Sequence, residues 1–240
     1  MANPDRPFKH GPPFDAVVFD CDSTLSAVEG IDQLARRAGL TVDLSKLTAD
    51  AMEGRVKLEE VYGLRLDRIR PSRTALRLLG ELYRRRLVPG AASSIATLKS
   101  LEKPVYVVSG GLKQAVVPFV GQLGVAEENV FAVEVHHDQH GQYTGFDEAS
   151  PMTRSGGKAE VCAALAKKHK SIVVVGDGVT DLEVTKVGVD FIGFGGVIER
   201  AAVRAGAPFW LPGPSLAGVL KVVLTPEEIE RAAALASASS

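Results

Sequence analysis

Runs of apolar, mostly β-branched residues that do not alternate with polar ones recur along this chain, and they constrain its fold more than any other feature. Asp15–Asp20 (DAVVFD), Val105–Ser109 (VYVVS), Val130–Val135 and Ile172–Val175 (IVVV) are each one strand long, and Phe191–Phe194 reads as a fifth. A strand that is apolar at every position is buried on both faces, as in a parallel sheet covered by helices. Between the runs the period changes. Val28, Ile31, Leu34, Ala35 and Ala38 fall at helical spacing with Gly39 as a stop, and Lys158–Lys168 is amphipathic. Gly141 offers a turn for a hairpin with Tyr143–Phe146 as one arm, and Pro118 marks a kink in the helix after the second strand. Thr225-Pro-Glu-Glu228 has the form of a capping box with proline at the first helical position, so a last helix is expected, with a fraying Ala/Ser tail.

Strand alternating with helix predicts an α/β fold, a Rossmann-like doubly wound parallel sheet. Residues 25–87 interrupt that alternation. They are rich in Leu and Arg, helical in character with a break at Pro71, and contain no run resembling a buried strand. The expected organisation is a catalytic core of 14–24 and 88–224, a helical cap of 25–87 inserted after the first strand, and terminal extensions at 1–13 and 225–240.

Charge narrows the partners. Lys and Arg number 28 against 29 Asp and Glu, so no global field would hold nucleic acid or an acidic membrane. Met1–Pro13 carries four prolines and no apolar core, unlike a secretory signal. The late apolar stretch Ala205–Leu224 is interrupted by Pro208, Pro212, Pro214 and Lys221, which excludes a membrane span. Cys21 and Cys162 form neither a disulfide framework nor a metal-ligand spacing and read as reduced thiols of a cytoplasmic protein.

Ligands of open parallel sheets gather at the carboxyl ends of the strands. Here those ends carry Asp20 and Asp22, then Ser109, then Asp177, while Lys158 opens a helix after Gly156-Gly157. Each alone is an ordinary turn or cap residue. The order Asp-x-Asp-x-Thr, Ser, Lys, Gly-Asp-Gly-x-x-Asp at successive strand ends points to one site. Phosphoryl transfer to a carboxylate needs such a set. Two unit negative charges 4 Å apart repel by ~1 kcal/mol in water and ~4 kcal/mol at an effective dielectric near 20. Asp20, Asp22, Asp177 and Asp181 together therefore require a cation, and oxygen ligands suit Mg²⁺. Lys158 adds a positive charge, and Ser109 with the Gly110 and Gly111 amides can donate to phosphoryl oxygens.

Other candidates carry less. Gly157-Lys158 lacks the upstream glycine and following Ser/Thr of a nucleotide-phosphate loop, and Ser109 lacks a hydrolase nucleophile frame. His136, His137 and His140 read as a solvated loop near the hairpin, and Arg84-Arg85-Arg86 as a solvated helix face. Gly193-Phe-Gly-Gly196 lacks dinucleotide spacing.

The segments VVFDCDSTL (17–25), EGIDQLA (29–35), IRPSR (69–73), VVSGG (107–111), GFDEASPMTRSGGK (145–158), VVGDGVTDLE (174–183) and FIGFGG (191–196) resemble the haloacid dehalogenase superfamily and, within it, the phosphoserine phosphatase branch. The resemblance runs from about Phe14 to Leu220. It implies an enzyme in which Asp20 is the nucleophile, forming an aspartyl phosphate, and Asp22 the proton donor and acceptor. It implies Mg²⁺ on the Asp20 and Asp177 carboxylates and the Asp22 main-chain carbonyl, with Asp181 supporting that shell. Ser109, Gly110, Gly111 and Lys158 would hold the phosphate, with Thr180 near the substrate. In the cap, Glu29 would receive the substrate ammonium, Arg65 its carboxylate, and Met52 would line the pocket. The implied partner is a small phosphorylated metabolite, phosphoserine, hydrolysed to serine and phosphate at the end of a serine-making route by a monomer or homodimer. One departure stands out: Glu53-Gly54-Arg55 replaces the small Gly-Gly-like stretch usual there, and an inward Glu53 would oppose a substrate carboxylate. A phosphatase or phosphotransferase for another small phosphomonoester is the alternative enzyme. A signalling module phosphorylated on Asp20 is the non-enzymatic one, and Asp22 argues against it, because a pure acceptor needs no acid two residues on.

Overall fold

A computed structural model describes residues 1–3, 5–40, 50, 53 and 55–238. Its strands are β1 Ala16–Phe19, β2 Val105–Leu112, β3 Val130–Val133, β4 Val135–His137, β5 Tyr143–Phe146, β6 Ile172–Gly176, β7 Asp190–Phe194 and β8 Phe209–Leu211. Six of them form one sheet in the order β3-β2-β1-β6-β7-β8, all neighbours parallel. Every residue of β1, β6 and β7 is buried, the outcome expected of unalternated apolar runs with helices on both faces. Each fully buried Val, Ile or Phe contributes about 1.5–3 kcal/mol relative to exposure, so the three central strands are the main apolar investment of the fold.

The strand order also fixes where a site can form. From β1 the chain works outward to β2 and β3, then returns to the other side of β1 for β6, β7 and β8. The reversal leaves a crevice at the carboxyl end of β1. Register places Phe19 opposite Val175, and Asp20 N donates to Val175 O at 2.9 Å. Asp20 thus stands beside the end of β6, where Gly176 hands over to Asp177.

Between β1 and β2 the described helices are α1 Gly30–Arg37, α2 Leu58–Ile69, α3 Arg73–Arg85 and α4 Ala91–Ser100. The chain leaves and re-enters the sheet region side by side. Ala27 N donates to Arg86 O (2.8 Å), Val88 N to Leu25 O (3.0 Å), and Ser26 Oγ to Tyr83 O (2.9 Å). Ser72 caps α3 by accepting from Ala75 N at 3.2 Å, which sets the direction of the helix after Pro71. Further on lie α5 Lys113–Gly121, which contains Pro118, α6 Gly157–Ala166, α7 Val179–Leu182, α8 Ala201–Gly206, α9 Leu220–Val223 and α10 Pro226–Ala238. The expected box at the start of α10 is formed: Thr225 N donates to Glu228 Oε2, and Glu228 N to Thr225 Oγ1.

Three features differ from or add to the sequence reading. The run Val130–Val135 is not one strand. It breaks at exposed Glu134, and β4 leaves the main sheet to pair antiparallel with β5. The Gln114 side chain makes the break tolerable by donating to Val135 O (2.6 Å) and accepting from Val135 N (3.2 Å). Strand β8 was not foreseen, because three residues between Pro208 and Pro212 carry no periodicity. The proline-rich leader packs against this edge: Ala2 bridges Phe209 antiparallel, Phe8 stacks on Phe209, and the amides of Lys9 and His10 donate to the Asp190 carboxylate.

Candidate active site

Asp20, Asp22, Ser109, Gly110, Gly111, Lys158, Asp177, Thr180, Glu29 and Arg65 line one pocket over the carboxyl ends of β1, β2 and β6. Asp181 lies just behind it, almost wholly buried. Met52 lies outside the described residues. The pocket floor belongs to the sheet, and its opposite wall to α1, α2 and α3 through Glu29, Tyr62, Arg65 and Tyr83.

Lys158 organises the floor. Its Nζ donates to Asp181 Oδ1 at 2.6 Å and lies 2.8 Å from Asp20 Oδ1. Burial works against its charge, but Asp181 and Asp20 outweigh burial and hold its pKa above the usual lysine value. The ammonium reaches this position because α6 starts hard against backbone. A Cβ on Gly157 would stand 1.6 Å from Pro151 O, so only glycine permits that approach.

The acids are differentiated by their partners. Asp177 is fixed by Thr24 Oγ1 on Oδ1 (3.2 Å) and by Arg200 Nε on Oδ2 (3.0 Å). Asp22 turns its carboxyl away from this group to accept from Gly30 N through Oδ2 at 2.8 Å. Burial, with Asp20 and Asp177 adding and the Tyr83 and Gly30 donors opposing, pushes Asp22 up to about 7. Burial likewise raises Glu29 to about 7 and Asp181 to about 6, and lifts Asp177 well above the carboxylate range.

Oxygens of Asp20, Asp177 and Asp181 all lie within 4.8 Å of one another. Three buried carboxylates with oxygen donors alone, one of them strongly driven toward protonation, fit a hard divalent cation. The titration has a consequence for the cation-free protein. Between about pH 4, where carboxyls of an unfolded chain ionise, and the raised values of Asp22, Glu29 and Asp181, the folded protein keeps protons the unfolded chain has lost. Stability in chelator should therefore be highest on the acid side of this window and fall from pH 5 to pH 8, by up to ~1.4 kcal/mol per pH unit for each proton of difference. Denaturant midpoints at the two pH values check this; a midpoint that climbs toward pH 8 would contradict it.

Ser109 Oγ accepts from Gly111 N at 3.0 Å, and the Tyr62 hydroxyl donates to Gly110 O at 2.8 Å. Tyr62 thereby ties α2 to the carboxyl end of β2, while the Arg65 guanidinium lies 5.7 Å from the centre of its ring. Glu29 Oε1 accepts from Ser23 Oγ (2.8 Å) and from Arg200 (3.0 Å). Burial opposes the Arg200 charge, yet Asp177, Glu29 and Glu53 raise its pKa, so the half-buried Glu53 acts on the same cation.

Arg200, Tyr62 and Tyr83 escaped the sequence reading, whereas Thr24, the last residue of the Asp-x-Asp-x-Thr motif, is where the motif placed it. Arg200 had a usable signal, since it lies in the segment just after the carboxyl end of the Phe191–Phe194 strand. Tyr62 and Tyr83 had none: at helical spacing among leucines they read as core. Among the described residues the three hairpin histidines join no metal-ligand group, and His137 Nε2 pairs with Pro71 O.

A family model for haloacid dehalogenase-like hydrolases matches residues 14–186. The phosphoserine phosphatase of Bos taurus is 38% identical over 199 residues, which cover 82% of this chain and 88% of that one. Among solved structures, a phospho-aspartyl intermediate analogue of phosphoserine phosphatase superposes with a TM-score of 0.75 at 28% identity, covering 86% of this chain and 97% of the other. A substrate-bound phosphoserine phosphatase complex gives 0.75 at 27% identity, with 86% and 96% covered.

Proposed function

The chain belongs to the haloacid dehalogenase-like hydrolase family, and from that premise we propose that it hydrolyses O-phospho-L-serine to L-serine and phosphate in the cytoplasm, as a Mg²⁺-dependent enzyme. The observation that carries this reading is Lys158 bridging Asp20 and Asp181 on the floor of a pocket whose opposite wall holds Glu29 and Arg65.

Asp20 attacks phosphorus while Asp22, protonated at the start, gives its proton to the leaving serine oxygen. The Asp22 carboxylate then takes a proton from water, whose oxygen displaces Asp20 from the phosphoryl group. Asp22 suits both halves because its folded pKa of about 7 places it near the working pH. Lys158 Nζ, Ser109 Oγ and the Gly110 amide hold phosphoryl oxygens, and Thr180 stands beside them. Mg²⁺ would be held by the Asp20 and Asp177 carboxylates and the Asp22 main-chain carbonyl; when bound it offsets the negative charge of carboxylates and phosphate.

Residues 25–87 act as the cap that selects the substrate. The Glu29 Oε2 atom has no hydrogen-bond partner among the described residues, both recorded bonds falling on Oε1, and it is the acceptor for the substrate ammonium. Glu53 shares Arg200 with Glu29 and Asp177, so its charge is partly offset before it reaches a substrate carboxylate. Arg65 receives that carboxylate. Arg65→Ala should raise KM for phosphoserine about 10- to 100-fold, the value of a lost charged hydrogen bond, with a smaller change in kcat. An unchanged KM in steady-state kinetics would remove Arg65 from the substrate site.

The direct test is phosphate release from L-phosphoserine and a panel of small phosphomonoesters, with Mg²⁺ and with chelator. Mg²⁺-dependent release with a strong preference for phosphoserine is expected. Release from other esters alone would return specificity to the cap, and a long-lived acyl phosphate without sustained release would favour the signalling alternative.

A further inference from the structure

Tyr83 is the one fully buried tyrosine of the wall facing the acids, and its hydroxyl lies close against the backbone of Gly30. The ring packs on Phe119, with centroids 5.6 Å apart, while the Asp22 carboxyl acts on the hydroxyl at the other end. The backbone of Gly30 is shaped around this meeting. A Cβ at Gly30 would stand 2.1 Å from Tyr83 Oη and 3.2 Å from Asp22 Oδ2, so any other residue would be driven into the space the two share. Tyr83 Oη and Asp22 Oδ1 are both buried and neither makes a well-formed hydrogen bond among the described residues, although the Tyr83 hydroxyl stands near enough to Asp22 to oppose the rise in its pKa. A buried donor and a buried acceptor without a well-formed hydrogen bond are rarely left so in a folded protein. Catalytic hydrogen bonds are often long or poorly aligned without substrate and tighten once it is bound.

We infer that Tyr83 is a positioning residue for the proton-transfer step: its hydroxyl donates to Asp22 and, with the Gly30 amide on the other oxygen, holds that carboxyl between leaving group and water. The inference rests on the role of Asp22 given above. In the first half-reaction the Asp20–phosphorus bond forms, the phosphorus–ester oxygen bond breaks, and the Asp22 proton moves to the ester oxygen. In the second the water oxygen bonds to phosphorus, the Asp20–phosphorus bond breaks, and the water proton moves to Asp22. Tyr83 keeps its own proton throughout; it fixes the place from which Asp22 gives and takes.

Tyr83→Phe keeps the ring and its packing and removes only the hydroxyl. With phosphoserine, or with whichever panel ester the unaltered enzyme hydrolyses, kcat should fall about 10-fold or more while KM stays within about 2-fold. Failure of the phosphoserine assignment therefore leaves this comparison intact. The second measurement uses p-nitrophenyl phosphate, whose leaving group needs little protonation. The variant should form the phosphoenzyme quickly and hydrolyse it slowly, giving a burst of nitrophenol close to one equivalent per enzyme that the unaltered enzyme lacks. Unchanged kcat on the ester, or a loss confined to KM, would overturn the inference and leave Tyr83 a packing residue of the wall. A slowed variant without a burst would overturn it too, because a general distortion slows phosphorylation as well.

Discussion

Asp20→Asn should lower turnover by a factor on the order of 10⁴ or more while leaving the protein folded and at least as stable as the unaltered chain. The catalytic loss follows from chemistry: an amide oxygen is a poor nucleophile and cannot form the acyl phosphate through which the reaction runs. The stability half follows from the surroundings. Asp20 contributes one of three buried carboxylate oxygens lying within 4.8 Å of one another, and Asn keeps its shape while removing that share of the repulsion. Lys158 loses a charged partner but retains Asp181 at 2.6 Å, so it is not stranded. Steady-state assays with Mg²⁺ and thermal melts with and without it separate the two effects. A variant with near-normal turnover would remove Asp20 from the nucleophile's role, and an unfolded variant would assign it a structural one.

The acids at the strand ends were legible because two independent regularities coincide there. Unalternated apolar runs locate buried parallel strands, and the chemistry of such sheets gathers where those strands stop; β1 ending in Asp20 and β6 ending in Gly176-Asp177 obey both. What escaped was decided by tertiary contact. Glu134 splits one apolar run into strands of two different sheets because Gln114, twenty residues away, takes over the backbone groups of Val135. Arg200 becomes part of the site only when the loop after β7 folds back to set its guanidinium between Asp177 and Glu29. Tyr83 is the sharpest case. Its position on α3 is that of a core residue, and only the hydroxyl at the end of a buried ring reaches the acids. Periodicity reports which face of a helix is buried; it does not report whether the last atom of a buried side chain finds another polar atom.

Lys158→Met tests the opposite side of the same charge balance and should damage both function and fold. Methionine fills the volume without charge, so Asp20 and Asp181 would face each other in a buried position with their shared cation gone. Breaking a buried ion pair from one side typically costs about 3–5 kcal/mol. The cost here should depend on pH. Burial already pushes Asp181 up to about 6 with Lys158 opposing it, and without Lys158 this carboxyl would hold its proton more tightly still. The variant should therefore come nearest to the stability of the unaltered chain around pH 5 and fall behind it as the pH rises to 8, where the retained protons are lost. A divalent cation should return part of that stability. It should not restore turnover, because phosphoryl oxygens would still lack the ammonium that holds them, a loss of about 10²–10³ in kcat. Melting curves at pH 5 and 8, with Mg²⁺ and with chelator, together with kcat, decide the matter. Full turnover in the variant would take Lys158 out of the phosphate site, and a pH-independent loss of stability would mean that packing, not charge, is what Lys158 supplies.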